Sequence, residues 1–271
     1  MSSRRKFAVI GNPIDHSLSP KIHKLFAEEL GKDIAYEAIM VEKEVFESKV
    51  NRLFEDGYEG LNVTLPLKEL AFDYADRLSE DSKACGSVNT LWKNGSEVFA
   101  DTTDGRGLIR DLTEKGIDLK DKEIIILGAG GSARSIIPSL LRQDPSRITI
   151  GNRTRSRAEV LANQFSSPAN PINVIDMSQD LNFLPDLIIN STSAGVLKED
   201  VVIPKNLFSK QIQVYDLSYA KFDTPFIEIA KQLGAEKCFD GLGMLIHQAA
   251  LSFEIWTGEI PSINFSKKDL L

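Results

Sequence analysis

Short apolar runs alternate with helical patterns along most of the chain. The most uniformly apolar run covers residues 123–127, and apolar positions from 242 to 256 recur at helical spacing. Strands that alternate with helices build mainly parallel sheets, because each crossover helix returns the chain to the same end of the sheet. The pattern therefore predicts an α/β fold. The predicted strands cover residues 7–10, 34–41, 60–64, 123–127, 147–151, 172–175, 186–190 and 213–217, and the predicted helices cover 19–30, 45–54, 67–78, 106–115 and 242–256.

The alternation is interrupted by a pair of β-like runs at 87–93 and 96–100. They flank Asn94-Gly95, a dipeptide that tolerates positive φ and therefore favours a tight hairpin. A hairpin within a series of parallel strands predicts that this part of the chain forms the edge of a sheet. A second series of strands and helices follows it, so we expect two domains that meet near residues 104–120.

The composition excludes several classes of function. The 271 residues carry a formal net charge of -7, with 39 acidic against 32 basic side chains, so the general positive surface for nucleic acid is missing. No apolar stretch approaches the roughly 18 residues of a membrane-spanning helix, and nothing resembles a signal peptide, so we expect a cytoplasmic protein. Cys85 and Cys238 lie far apart without metal-ligand spacing, so neither a disulfide framework nor a metal site is indicated.

A glycine-rich turn follows the apolar run 123–127. Gly128 to Ala133 read G-x-G-x-x-A. In such a turn the first glycine permits the tight bend, the second lets the backbone approach a pyrophosphate, and a small third residue allows close packing of helix and strand. The helix N-terminus then offers free N–H groups to the anion. The motif favours a dinucleotide site, although an ordinary glycine-rich turn between a strand and a helix would share its spacing.

The end of the next predicted strand indicates which dinucleotide would bind. An NAD site usually has an acidic residue there for the ribose 2′-hydroxyl, whereas residues 152–157 read Asn-Arg-Thr-Arg-Ser-Arg. Guanidinium groups bind a 2′-phosphate through paired hydrogen bonds and stack on adenine. Cations at a helix N-terminus oppose its dipole, so a solvated basic helix start without an anion is the less favourable alternative. The sequence therefore favours NADP over NAD.

Clusters of small polar residues in the first half of the chain follow the ends of predicted strands. They cover residues 11–20, 62–68, and 87–90 with 103–105. Ligands of open α/β sheets bind outside the carboxyl ends of the strands, so the first two clusters are expected to meet at one crevice. Their hydroxyl and amide groups suit a polyhydroxylated ligand. Each cluster taken alone is also typical of turns and helix caps.

Taken together and in this order, segments along nearly the whole chain resemble the shikimate dehydrogenase family. The matching segments are residues 11–24, 62–69, 86–90, 102–105, 128–134, 152–154 and 240–250. The resemblance implies a mainly parallel α/β substrate domain, a Rossmann-type dinucleotide-binding domain and a C-terminal helix that returns to the first domain. On this basis we expect residues 1–104, completed by 241–271, to bind substrate and carry the catalytic groups, and residues 105–240 to bind NADP(H).

The resemblance also implies a function and a set of site residues. The function is the NADPH-dependent, reversible reduction of 3-dehydroshikimate to shikimate in aromatic amino-acid (chorismate) biosynthesis. Lys68 and Asp104 would be the catalytic pair, and which of them is the immediate proton donor stays open. The substrate-binding residues would be Ser17, Ser19, Asn62, Thr64, Asn89, Thr103, Tyr219 and Gln248. The cofactor-binding residues would be Gly128, Ala129, Gly130, Gly131, Ser132, Ala133, Asn152, Arg153, Thr154, Arg157, Thr192, Ser193, Leu217 and Gly241.

The sequence departs from the family pattern at a few positions. Thr102 stands where the family usually has Asn, Ser87 replaces Ala, and Lys24 replaces Asn. The change at Thr102 bears on how the loop of Thr103 and Asp104 is held.

Other functions stay open at this point. One is a quinate/shikimate dehydrogenase paralogue with broader substrate and cofactor use, and another is a non-catalytic sensor of the same metabolite. We expect a small-molecule substrate as the partner, without nucleic acid or membrane, and a monomer or homodimer.

Overall fold

The chain folds into two compact units. The structure is a computed structural model that describes residues 4–177, 183–192, 207–263, 265 and 267–271. The first unit consists of Met1–Gly107 and Leu245–Leu270, and the second of Leu108–Met244 with Leu271. The boundary between residues 107 and 108 lies inside helix α5 (Asp104–Glu114), and the boundary between residues 244 and 245 lies inside helix α9 (Leu242–Thr257). At both positions the chain passes from one unit to the other within a helix rather than through a loop.

The first unit contains a six-stranded mixed sheet. Its strands are β1 (Arg5–Gly11), β2 (Ile34–Met40), β3 (Tyr58–Val63), β4 (Arg77–Leu78), β5 (Thr90–Asn94) and β6 (Glu97–Asp101). They lie in the order β2-β1-β3-β5-β6-β4; β1 is parallel to β2 and β3, β4 is parallel to β6, and β5 is antiparallel to both neighbours. The helices are α1 (Ser19–Glu29), α2 (Phe46–Glu55), α3 (Lys68–Tyr74), α4 (Glu80–Cys85) and α10 (Lys267–Leu270).

The helix predicted at residues 67–78 is wrong beyond Tyr74. Ala75 is extended, with φ −77° and ψ 138°, and the strand Arg77–Leu78 pairs with β6. Ser79 then caps α4, where its Oγ accepts a hydrogen bond from the backbone N of Ser82 at 3.1 Å. The apolar spacing of this segment suits a helix, but pairing with a neighbouring strand determines the local conformation.

The hairpin predicted around Asn94-Gly95 is confirmed, whereas its place in the sheet is not. Strands β5 and β6 are antiparallel, and Gly95 has the positive φ, +63°, that the turn requires. The short strand β4 covers the outer side of β6, so the hairpin does not form the edge of the sheet. A two-residue strand has too few positions to leave an apolar pattern, and for this reason the sequence did not predict it.

The second unit contains a six-stranded parallel sheet. Its strands are β7 (Glu123–Leu127), β8 (Arg147–Gly151), β9 (Ile172–Ile175), β10 (Leu187–Asn190), β11 (Gln213–Asp216) and β12 (Lys237–Asp240), in the order β12-β11-β10-β7-β8-β9. The helices include α6 (Gly131–Leu141), α7 (Arg155–Phe165) and α8 (Pro225–Gln232). This strand order is that of the Rossmann dinucleotide-binding fold, in which the order reverses between β7 and β10.

The last turns of helix α9 pack on the sheet of the first unit. The ring of Trp256 stacks on Phe7 with 4.8 Å between centroids, and its Nε1 donates a hydrogen bond to the carbonyl oxygen of Leu91 at 3.2 Å. A Cβ at Gly60 would lie 2.3 Å from Trp256 Nε1, so only glycine allows this close approach. The predicted return of the C-terminal helix to the first domain is confirmed.

A buried histidine lies in the same aromatic cluster. The ring of His23 is stacked on Tyr36 with 4.0 Å between centroids, and the residue is only 1% exposed. Burial lowers the pKa of His23 from 6.5 to about 3, because the charged imidazolium would lose its hydration. The folded protein therefore holds His23 neutral in a pH range where the unfolded chain would bind a proton.

Acid should weaken the fold through His23. Because its pKa is lower in the folded state, its contribution is fully present above pH 6.5 and is lost as the pH falls toward 3. The slope should be about 1.4 kcal/mol of unfolding free energy per pH unit. Urea unfolding of the wild type and of His23→Gln measures it. The difference in unfolding free energy between the two proteins should be constant above pH 6.5, and below it the wild type should lose stability relative to His23→Gln. A difference that is the same at all pH values would contradict this expectation.

Candidate active site

A buried ion pair joins the starts of two helices in the first unit. Lys68 is the first residue of α3 and Asp104 is the first residue of α5, and Lys68 Nζ pairs with Asp104 Oδ2. Their side chains are 14% and 7% exposed, so water screens the pair only weakly. A cation at a helix N-terminus opposes the helix dipole, and the carboxylate of Asp104 offsets that cost. The geometry provides an ammonium proton donor with a carboxylate in contact.

Asn89 ties this pair to other polar residues of the first unit. Its Nδ2 lies 2.9 Å from Asp104 Oδ1 and 3.0 Å from Gln248 Oε1, and its Oδ1 accepts a hydrogen bond from the backbone N of Thr103 at 2.9 Å. The Thr103 hydroxyl also donates to the carbonyl oxygen of Gln248 at 3.0 Å. The structure thus brings together the predicted residues Lys68, Asn89, Thr103, Asp104 and Gln248.

Asn62 extends the same hydrogen-bonded group. Its Oδ1 accepts from the hydroxyl of Tyr36 at 2.7 Å, and its Nδ2 donates to the Ser252 hydroxyl at 2.9 Å and to the carbonyl oxygen of Asn89 at 3.1 Å. The sequence reasoning missed Tyr36 and Ser252. Ser252 had a usable signal, because it lies one helical turn after Gln248 on the same face. Nothing in the sequence distinguishes Tyr36 from other strand residues.

The loop after β1 meets the end of β3. The backbone N of Asn12 donates to the carbonyl oxygen of Leu65 at 3.0 Å, and a Cβ at Gly11 would lie 2.4 Å from Thr64 Cγ2. Further along this loop, Ser17 Oγ accepts a hydrogen bond from the backbone N of Ser19 at 3.3 Å. The first two polar clusters of the sequence therefore adjoin at the carboxyl ends of neighbouring parallel strands, as predicted. The remaining predicted substrate residue, Tyr219, lies in the second unit after β11.

The glycine-rich turn of the second unit has the conformation that its motif predicts. Gly128 has φ +106°, and a Cβ there would lie 2.7 Å from Ser191 Oγ. A Cβ at Gly130 would meet nothing within 4 Å, so the backbone is open to a ligand, and helix α6 begins at Gly131 without a side-chain cap. Ala133 is fully buried. Uncapped N–H groups beside an open backbone fit a pyrophosphate. The other members of the motif, Ala129 and Ser132, lie within the same turn.

The residues after β8 fit an adenosine 2′-phosphate. Asn152 Nδ2 donates to the carbonyl oxygen of Thr154 at 2.8 Å and so closes the turn into α7. The side chains of Arg153 and Arg157 are exposed, and no acidic residue stands between 152 and 157. Arg155, between them, pairs with Glu159 at 2.8 Å. The arrangement offers guanidinium donors where an NAD site would have a carboxylate.

Asp216 joins two segments that were predicted to bind the nicotinamide end of the cofactor. Its Oδ1 accepts from Asn190 Nδ2 at 2.9 Å and from the backbone N of Ser218 at 3.1 Å, and Oδ2 accepts from the Thr224 hydroxyl. The residue is 1% exposed, and burial raises the pKa of Asp216. The sequence reasoning missed this residue, although an acidic residue that ends an apolar strand is a signal of such a role.

The same region brings three predicted cofactor residues together. The hydroxyl of Thr192 donates to Asn190 Oδ1 at 2.7 Å, and the backbone N of Leu217 donates to the carbonyl oxygen of Asn190 at 2.9 Å. A Cβ at Gly241 would lie 2.2 Å from the carbonyl oxygen of Leu217, so this approach requires glycine. Ser193, which was predicted beside them, lies outside the described residues.

Comparisons with known proteins identify the family. Models described as shikimate dehydrogenase substrate binding domain, shikimate/quinate 5-dehydrogenase and shikimate 5′-dehydrogenase C-terminal domain match residues 9–91, 111–218 and 241–264. A shikimate dehydrogenase (NADP(+)) of Legionella pneumophila (strain Lens) is 44% identical over 259 residues, which are 95% of this chain and 95% of that protein. This chain belongs to the shikimate dehydrogenase family. The family predicted from the motifs is confirmed.

Solved structures of shikimate dehydrogenases share the fold. One in complex with NADP+ has a TM-score of 0.91 and 32% identity, and the match covers 100% of this chain and 96% of that chain. The enzyme of Thermus thermophilus in complex with NADP(H) and shikimate has a TM-score of 0.85 and 31% identity, over 98% of this chain and 97% of that chain. The predicted fold class, an α/β domain with a Rossmann-type domain, is therefore confirmed.

Two departures from the shikimate dehydrogenase pattern place hydroxyls in the protein interior. Thr102 Oγ1 and Ser87 Oγ are both buried, and neither has a hydrogen-bond partner within the described part of the chain. The third departure, Lys24, is exposed and lies 3.7 Å from Glu28 on the surface of α1. Only the first two can therefore affect the interior of the site.

Among the described residues, no helix has the length and apolar character needed to cross a bilayer.

Proposed function

We propose that this chain is an NADP-dependent oxidoreductase that reversibly reduces 3-dehydroshikimate to shikimate in aromatic amino-acid biosynthesis. The observation that carries the proposal is the buried pair of Lys68 and Asp104 within a group of amides and hydroxyls. Membership of the family supports it, because the Legionella relative is named for shikimate and NADP(+) and the Thermus structure holds both ligands. The reduction of a carbonyl group needs a proton donor such as this pair. The neutral polar groups around it suit the hydroxylated ring of the substrate.

The predicted substrate-binding side chains match the proposed substrate by hydrogen-bonding type. The hydroxyls of Ser17 and Ser19 can donate to a carboxylate, and Tyr219 is proposed to help them. Amides and hydroxyls can both donate and accept, which suits ring hydroxyl groups. The residues proposed for the ring are Asn62, Thr64, Asn89, Thr103 and Gln248.

Lys68 and Asp104 perform the proton transfer in this proposal. NADPH, when bound, would supply a hydride to the ring carbonyl carbon. The carbonyl oxygen then gains a proton from the ammonium of Lys68 or through the carboxylate of Asp104, and the sum of hydride and proton converts the ketone to an alcohol. Asp104 also holds the ammonium in position, and Asn89 holds Asp104. In the reverse direction the pair accepts the hydroxyl proton.

The second unit supplies the proposed NADP(H) site. The backbone of the turn at 128–131 and the start of α6 would hold the pyrophosphate, with Ser132 and Ala133 in the first turn. Arg153 and Arg157 would bind the 2′-phosphate, beside Asn152 and Thr154. The segments of Thr192, Ser193, Leu217 and Gly241 would hold the nicotinamide end. We accordingly propose that residues 1–104 with 241–271 form the substrate and catalytic domain and that 105–240 form the NADP domain.

The protein acts on a small molecule, without nucleic acid or membrane as a partner. It works in the cytoplasm as a monomer or a homodimer. The acidic net charge of -7 agrees with the absence of a nucleic-acid partner.

Substrate profiling of the purified protein tests the proposed function. Formation of NADPH from NADP+, or of NADH from NAD+, is followed by absorbance with shikimate or quinate as the substrate. We expect turnover with shikimate and NADP+, and a kcat/KM at least about tenfold lower with NAD+, because a single charged contact is worth about that much. Comparable turnover of quinate or comparable use of NAD+ would favour the broader paralogue. Binding of shikimate without turnover would indicate a sensor and contradict the proposal.

A further inference from the structure

A carboxylate at the end of β6 holds the loop that carries Asp104. Asp101 Oδ1 accepts a hydrogen bond from the backbone N of Thr102 at 2.7 Å and another from the hydroxyl of Ser79. Asp101 Oδ2 forms an ion pair with Arg106. The Asp101 side chain is only 11% exposed, so the pair is partly withdrawn from water. Asp101 thereby connects both ends of the loop 101–106.

Arg106 makes further contacts from the first turn of α5. Its Nη2 donates to the carbonyl oxygen of Thr102 at 3.3 Å, and its Nε lies 3.1 Å from Asp81 Oδ2 in α4, an ion pair without hydrogen-bond geometry. A planar guanidinium can bind several acceptors in a fixed geometry, which a flexible ammonium does less well. One side chain therefore links the end of β6, the loop backbone, and two helices.

The side chain of residue 102 adds no hydrogen bond of its own to this arrangement. Thr102 Oγ1 is buried and has no hydrogen-bond partner among the residues that the structure describes. At this position the family pattern usually has asparagine, whose amide has both donors and an acceptor. In this chain the loop is held through the backbone of Thr102, whose N–H donates to Asp101 and whose carbonyl oxygen accepts from Arg106.

We infer that Asp101 and Arg106 are positioning residues of the proposed reaction, which act by holding Asp104 against Lys68. The inference rests on the proposed function. Asp104 contacts Lys68 through Oδ2, and its Oδ1 accepts a hydrogen bond from Asn89 Nδ2 at 2.9 Å. A shift of the loop would loosen both contacts at once. Misplacement by about 1 Å lowers rates by up to roughly 10²-fold, even when the altered residue does not touch the substrate.

Kinetics of Arg106 variants test the inference. Arg106→Met removes the charge and keeps much of the aliphatic stem, so kcat with shikimate should fall roughly tenfold while the KM for NADP+ changes less than about twofold. Arg106→Lys retains a cation near Asp101, so it should recover part of this loss, and it keeps the test readable if the methionine variant does not fold. The control is Arg77→Met, which removes an exposed ion pair with Glu97 in the same unit and should leave kcat unchanged.

The same substitution in an Asp104→Asn background separates positioning from general destabilisation. If Arg106 acts through Asp104, Arg106→Met should lower the residual kcat by less than about twofold in that background. An equal fold-loss in both backgrounds would overturn the inference. The inference would also be overturned if the unmodified protein turns over shikimate and Arg106→Met has the same kcat. If the unmodified protein shows no turnover, the proposed function is overturned and this inference falls with it.

Discussion

Replacing Lys68 by alanine should lower kcat for shikimate oxidation by roughly 10² to 10⁴, and Asp104→Asn should have an effect in the same range, which is usual for a lost general acid or base. The alanine removes the only ammonium in contact with Asp104 among the described residues. The asparagine removes the carboxylate that orients this ammonium. Steady-state kinetics at saturating shikimate and NADP+ measure both variants.

A surface lysine of the same unit provides the control. Lys83 pairs with the exposed Glu80 at 2.8 Å, so Lys83→Ala should leave kcat unchanged. Far-ultraviolet circular dichroism checks that all variants are folded. An unchanged kcat in both Lys68→Ala and Asp104→Asn would refute the assignment of the catalytic pair, whatever the affinity for substrate.

Loss of two guanidinium groups should remove most of the preference for NADP+. Each charge-assisted hydrogen bond contributes about 1.5–3 kcal/mol, and about 1.4 kcal/mol corresponds to a factor of ten. Both side chains are exposed, so solvent reduces each contribution to about 1 kcal/mol. Changing Arg153 and Arg157 together to glutamine should therefore raise the KM for NADP+ by roughly 10- to 100-fold. The KM for NAD+ should change little, since NAD+ has no 2′-phosphate. Titration of each cofactor at saturating shikimate measures both constants.

The neighbouring arginine separates a specific contact from the general charge of this surface. Arg155 is held by Glu159 at 2.8 Å, so Arg155→Gln should change the KM for NADP+ by less than about threefold. A similar rise in KM for Arg155→Gln would mean that the 2′-phosphate responds to net charge alone. An unchanged KM for NADP+ in the double variant would mean that other residues bind the 2′-phosphate.

The apolar pattern predicted the long buried elements and missed the short peripheral ones. Strand β7 is buried along almost its full length and stands out as a run of Ile and Leu. Strand β12 has four half-buried or exposed residues at the edge of its sheet, so it leaves no such run. Helix α8 was also missed, although Thr224 caps it and Pro225 follows at its first position, which is a recognisable start signal.

The chain alone determined the candidate chemistry to a large extent. The glycine-rich turn after β7, the basic residues after β8 and the polar segments that contain Lys68 and Asp104 were found from local motifs, whereas the catalytic roles of these two residues came from the resemblance to the shikimate dehydrogenase family. Such motifs can be recognised because the conformation of a turn and the start of a helix depend on a few adjacent residues.

Contacts between distant segments were decided only by the tertiary structure. Lys68 and Asp104 are 36 positions apart, and Asn62 meets Ser252 across 190 positions. These contacts depend on the register of β3 with β5 and on the packing of helix α9 against the sheet, where Asn62 lies opposite Thr90. Tyr36 meets Asn62 across 26 positions and Asp101 meets Ser79 across 22, whereas the ion pair of Asp101 with Arg106 spans only 5. A local pattern specifies a strand or a helix, whereas the partner of each side chain is known only once the sheet has closed the long loops between them.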